Sequence, residues 1–115
     1  MKRWKIRLRI DSALADGALL VMTAAQKCFS FSRFELTARR LAVHEAISNA
    51  LKYGGGKAVL TAFGNEEKMR VEISQKSKIV WPDQMSSFQG VALIRRYARK
   101  REISDNSRTL ILWFY

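Results

Sequence analysis

Cysteine, histidine and proline are almost missing from this chain of 115 residues, which has one of each: Cys28, His44 and Pro82. A single cysteine excludes an internal disulfide, and with it any disulfide-stapled scaffold. One cysteine and one histidine are also too few for structural zinc, which takes four nitrogen or sulfur ligands. Acidic residues are scarce as well. Ten Asp and Glu face 21 Lys and Arg, a net charge of +11. Charge of that size bears on partners and solubility, not on fold. Long apolar runs are lacking too. Arg7, Arg9, Asp11 and Asp16 break up the stretch after the basic start Met1-Lys2-Arg3-Trp4-Lys5. A signal peptide needs that stretch intact. The longest uncharged run there, residues 17–26, is far short of the roughly 20 residues that span a bilayer. Neither a signal peptide nor a membrane helix is expected, and the expected location is cytoplasmic.

What is present reads as globular. Hydrophobic residues make up 48% and charged residues 27% of the chain, well outside disordered composition. No repeat, low-complexity tract or linker divides residues 1–115, so one domain is expected. A chain of this size buries roughly two-thirds of its extended surface and folds without staples.

Trp4, Ile6, Leu8 and Ile10 alternate with Lys5, Arg7 and Arg9, which predicts a strand with one apolar and one basic face. Asp11 or Ser12 then caps a helix over about 13–29, with Cys28 as a small buried hydrophobe. Ser32 and Glu35 form a capping box for a second helix over 33–53. Its apolar stripe is Phe34, Ala38, Leu41, Ala42, Ala46, Ala50 and Leu51, and Gly54-Gly55-Gly56 stops it. Val59, Thr61 and Phe63 begin a hairpin that turns at Gly64-Asn65-Glu66 and returns through Met69, Val71 and Ile73. Residues 75–87 are irregular, with Trp81-Pro82 shaping a loop. A third helix follows over about 88–100, then a closing strand over 109–115, apolar on both faces and therefore central. Antiparallel strands with helices between them predict a two-layer α/β sandwich.

The segment that carries chemistry ends the second helix. Glu45 and Asn49 are four apart and Lys52 follows three later, so a carboxylate, a carboxamide and an ammonium share one helix face. His44 falls on a different face. An amide oxygen is a hard ligand suited to magnesium, an ammonium neutralises phosphate, and a carboxylate can take a proton from an attacking hydroxyl. The same spacings also make an ordinary solvated helix face, and spacing alone favours that.

Glu45-Ala46-Ile47-Ser48-Asn49-Ala50-Leu51-Lys52-Tyr53-Gly54 closely resembles the N-box of the GHKL, or Bergerat-fold, ATPases. Asn49-Ala50-Leu51-Lys52-Tyr53 is similar to the sensor histidine-kinase form. Leu41-Ala42-Val43-His44-Glu45-Ala46 is nearer the anti-sigma-factor serine kinases, whose compact layout the chain resembles from first strand to last. The resemblance implies a Bergerat sandwich: a mixed, mostly antiparallel sheet with three helices on one face. It implies ATP and magnesium as cofactors, Glu45 as catalytic base and Asn49 as magnesium ligand. Lys52 and Tyr53 would lie on the phosphate side, where the anti-sigma branch more often carries His in place of Lys52.

Two further motifs depart from the pattern. Where the family has Asp-x-Gly-x-Gly, this chain places Gln75 at the Asp position and Ser77 at the first Gly. A Gln amide oxygen can accept from an adenine amino group, without the charge that strengthens such a contact. The family's Gly-x-Gly-Leu resembles Phe88-Gln89-Gly90-Val91, with Phe88 in place of the first Gly and Gly90 and Val91 at the phosphate-facing helix start. One motif is intact and two are altered. The implied function is an anti-sigma-like regulator that binds ATP and magnesium and phosphorylates a partner protein on serine. The alternative is a nucleotide-free domain of the same fold, acting as an interaction module or phosphotransfer adaptor.

The basic residues fall in groups: Lys2 to Arg9, Arg33 to Arg40, and Arg95 to Arg101. They read as solvated faces, as a surface for an acidic regulatory protein (a sigma factor or an anti-anti-sigma-like protein), or as a nucleic-acid surface. The acidic protein ranks above nucleic acid, since no helix-turn-helix, RNA-recognition or zinc-finger signature is present. Trp113 and Tyr115 share a strand face with Ile111. A two-layer sandwich leaves that face uncovered, which makes it a candidate homodimer surface.

Overall fold

The period-two segments of the sequence assemble into one five-stranded sheet, with a long helix laid across it. The computed structural model describes residues 3–11, 21–23, 33–65, 68–79 and 94–115, without the side chains of 33, 34 and 36. The strands are β1 (Trp4–Ile10), β2 (Ala58–Gly64), β3 (Met69–Gln75), β4 (Lys100–Ile103) and β5 (Thr109–Phe114), and the helix α1 is Arg33–Tyr53. Their order across the sheet is β1-β2-β3-β5-β4, and all four pairings are antiparallel. The fold is a mixed α/β one. The expected mixture of parallel and antiparallel pairs is not found among the described strands.

Because side chains alternate across a strand, register decides what each face carries. Ile6, Ala62, Val71 and Leu112 stand in one row across four strands, and Leu8, Leu60, Ile73 and Leu110 in the next. These rows face α1. Ala42, Ala46 and Ala50 on the helix are buried with Leu60, Val71, Ile73 and Leu112 in one core cluster, and Ala38 is buried too. Alanines every fourth residue let the helix lie close to the sheet, while the larger side chains come from the strands. Each fully buried Leu, Ile or Phe stabilises the fold by about 1.5–3 kcal/mol relative to exposure.

Val43 and Ile47 form a second buried row on α1, in the same cluster as Val21, Met22, Ile94 and Ala98. The helix is thus covered on two sides. Residues 21–23 and 94–97 are helical. The predicted stripe of α1 needs correction at Leu41, which is exposed at 45%; Leu51 is half-buried and packs against the core. The period of 3.6 turns Leu41 away from both covered sides. Phe34's side chain lies outside the described residues, as do most of the first predicted helix, including Cys28, and the Trp81-Pro82 loop.

The third predicted helix is the larger correction. Helical structure ends at Tyr97, and Lys100, expected as the end of the helix, instead opens the edge strand β4, Lys100–Ile103. The backbone N–H of Arg99 already donates to the carbonyl of Trp113 at 2.7 Å, so the chain joins the sheet at once. That pairing places β5 between β3 and β4, an interior position, as its two apolar faces predict.

Candidate functional site

The end of α1 and the end of β3 meet beside Asn49. The helix is closed by two backbone bonds, Gly54 N–H to Ala50 O at 2.8 Å and Gly56 N–H to Leu51 O at 3.1 Å. Gly55 and Gly56 then turn the chain through φ of +101° and +81°, a region that costs a side-chain-bearing residue about 1–2 kcal/mol. Gly54 serves a different purpose. Its carbonyl accepts from the N–H groups of Lys76 and Ser77, at 3.0 and 3.3 Å. A Cβ at Gly54 would stand 2.5 Å from Cβ of Gln75. The absent side chain is what lets β3 run hard against the helix end.

This approach brings two of the predicted site residues together. Asn49 is 6% exposed and is the one buried polar side chain among the described residues. With Gln75, Ile73, Ile79 and Leu110 it lines a recess of about 20 Å³, the room that one water molecule needs. Gln75 sits at the register position opposite Ala58, on the helix side of the sheet. Its Nε2 donates to the Ser77 carbonyl at 2.8 Å. The amide is thereby oriented, with its oxygen left as acceptor.

The other predicted residues are spread around this recess. Glu45, one turn before Asn49, is half-buried. Lys52 is exposed, with its ammonium 5.2 Å from the Tyr53 ring centroid. Glu45, Asn49 and Lys52 therefore do not form one solvent-facing ridge: burial rises and falls along it, with Asn49 inside. Ser77 joins the site through its backbone, as donor to Gly54 and acceptor from Gln75. Gly90, Val91 and Phe88 lie outside the described residues.

The donor set fits a hard cation in kind, since Asn49 offers an amide oxygen. Among the described residues no three Asp, Glu, His or Cys cluster to hold a metal by themselves. Between the described side chains the recess has room for one water-sized species.

Sequence reasoning missed a second feature, on the other face of the sheet. Lys5, Phe63, Arg70, Trp113 and Lys100 are direct cross-strand neighbours and form one row over all five strands. The Arg70 guanidinium carbon is 3.9 Å from the Phe63 ring centroid and 4.9 Å from that of Trp113. Lys100 reaches to 5.9 Å of the Trp113 ring. Glu72 lies 3.8 Å from Arg70, and Glu102 2.6 Å from Lys100. The Glu102 hydrogen bond and charge hold the Lys100 ammonium above the ordinary lysine range. The alternation is visible in the sequence one strand at a time, but only the register joins the pieces.

Among the described residues no helix is long and apolar enough to cross a membrane. A comparison of the chain with protein-family models finds no match, and a comparison with curated proteins finds none.

Proposed function

We propose that the chain is a Bergerat-type, anti-sigma-like regulatory protein that binds ATP and magnesium at the junction of α1 and β3. The observation that carries this reading is the convergence of Asn49 and Gln75 on one recess. These are the positions that the resemblance assigns to the magnesium ligand and the adenine contact, and they are 26 residues apart in the chain. Asn49 would hold the metal through its amide oxygen and Lys52 would sit on the phosphate side. Glu45 would accept the proton of a serine hydroxyl on an acidic partner. ATP itself supplies the phosphoryl group when bound.

A second reading has its own support. The recess is about 20 Å³ and the Gln75 amide is committed to the Ser77 carbonyl. Both suit a nucleotide-free relative that keeps the fold as an interaction module or phosphotransfer adaptor.

Thermal denaturation with and without magnesium and ATP separates the two. A ligand at a hundred times its dissociation constant adds about 2.7 kcal/mol, or roughly 10 °C for a domain of this size. The nucleotide reading expects a shift for the wild type that is lost in Asn49→Ala. No shift for the wild type, with a fluorescent ATP analogue also failing to bind, leaves the interaction module.

A further inference from the structure

The face of the sheet turned away from α1 has no counterpart in the site above. Its described charged side chains are Lys5, Arg7, Arg9, Arg70 and Lys100, against Glu72 and Glu102. Two copies set face to face would bring these cations against one another, which disfavours the expected homodimer there. The excess of cations instead suits a polyanion.

The row Lys5–Phe63–Arg70–Trp113–Lys100 narrows the choice of polyanion. Neighbouring strands are about 4.8 Å apart, so the three cations stand about 10 Å apart with a flat ring between each pair. Trp113 also lines both of two neighbouring concavities. One, of about 800 Å³, has Arg3, Lys5, Lys68, Arg70 and Phe63 in its wall. The other, of about 570 Å³, has Lys68, Lys100 and Tyr115. Among the described residues no Asp or Glu side chain lines either one. Glu66 and Glu67, between β2 and β3 in the chain, lie outside the described residues. On this face Nε of Arg70 and the indole Nε1 of Trp113 are covered by the packing of the row itself.

A cationic row alone would take an acidic peptide equally well. Flat rings alternating with the cations, and an indole shared by two concavities of nucleotide size, fit a polyanion that carries a planar group on every repeat. We propose that this open face binds single-stranded nucleic acid, with phosphates along Lys5, Arg70 and Lys100 and bases against Trp113. This surface is separate from the Asn49 recess and does not depend on the nucleotide reading.

The test is fluorescence anisotropy with a labelled single-stranded oligonucleotide of about 15 nucleotides, a length near the upper site size of small single-strand binders. It is run from about 50 to 200 mM salt, where backbone contacts are strongly salt-dependent. The wild type is expected to bind, more weakly as salt rises. Trp113→Leu keeps apolar volume and loses the ring, and should weaken binding about 5- to 160-fold, the range of one stacked base. The exposed pair Lys5→Gln and Lys100→Gln should lower the log–log salt slope by about 1.4, at about 0.7 per phosphate contact on a single strand. Asn49→Ala should bind as the wild type does. No binding at low salt overturns the proposal. So does equal competition by polyglutamate, with a normally folded Trp113→Leu binding like wild type, which would assign the face to an acidic polypeptide. A dimer that Trp113→Leu dissociates, with no oligonucleotide bound, would assign it to a second copy.

Discussion

Gly54→Ala tests the geometry on which the Asn49 recess depends. The added Cβ would overlap the carbonyl oxygen of Ala50 and stand 2.5 and 2.8 Å from Cβ and Cδ of Gln75. The Gln75 chain could swing aside, but its Cβ is fixed by a strand paired on both sides, and Ala50 O belongs to the helix backbone. Relief therefore means moving β3 from the helix end and stretching the Lys76 and Ser77 bonds to Gly54 O. Overpacking of this kind costs about 1–3 kcal/mol, and backbone on both sides of the clash places Gly54→Ala near the top of that range. A chain of this length has a total stability of about 6–17 kcal/mol. The loss should lower the melting temperature by about 8–12 °C, measured by circular dichroism with urea unfolding as a check. Gly56→Ala is the internal control. Its Cβ would meet nothing within 4 Å, and only its φ of +81° opposes a side chain. It should cost about 1–2 kcal/mol, and Gly56→Asn less, since Asn tolerates that region. A Gly54→Ala protein that melts within about 2 °C of wild type would refute the close approach of helix end and strand end.

Two further outcomes follow from packing and register. Leu60, fully buried at the centre of β2, should lose about 2–5 kcal/mol as Leu60→Ala. Ile103→Ala, on the edge strand at 37% exposure, should lose less than about 1 kcal/mol; urea unfolding of both variants reads the contrast. Ser74 and Thr109 stand opposite each other on the open face with their hydroxyl oxygens 2.9 Å apart. A double-mutant cycle of Ser74→Ala and Thr109→Val should give a coupling of about 0.5–1.5 kcal/mol, and zero coupling would contradict the β3–β5 register.

The parts of the fold legible in the sequence are those fixed by local chemistry. Both ends of α1 were marked, by Ser32 before it with Glu35 in its first turn and by three glycines after it, and its observed span is Arg33–Tyr53. The alternation of β1 and of the hairpin is likewise a property of a few consecutive residues. β4 was not legible. All four of its residues are exposed, so Lys100-Arg101-Glu102-Ile103 has no apolar alternation and reads as the basic end of a helix. Only its pairing with β5 makes it a strand. The same limit applies to the sites. The spacing of Glu45 and Asn49 is visible along one helix, but the burial of Asn49 depends on β3 and β5. The cation–aromatic row needs five strands in register before it exists at all.

Among the described strands the two outer ones, β1 and β4, have a backbone partner on one side only. Such edges are templates for pairing with another chain, and charged side chains on them oppose it. Lys5, Arg7 and Arg9 are all exposed on β1, and Lys100, Arg101 and Glu102 on β4. A second sheet sliding up to either edge would meet like charge before it met a hydrogen bond. Part of the +11 net charge thus works as protection against fibrillar aggregation, and neutralising it at the edges would trade solubility for self-association.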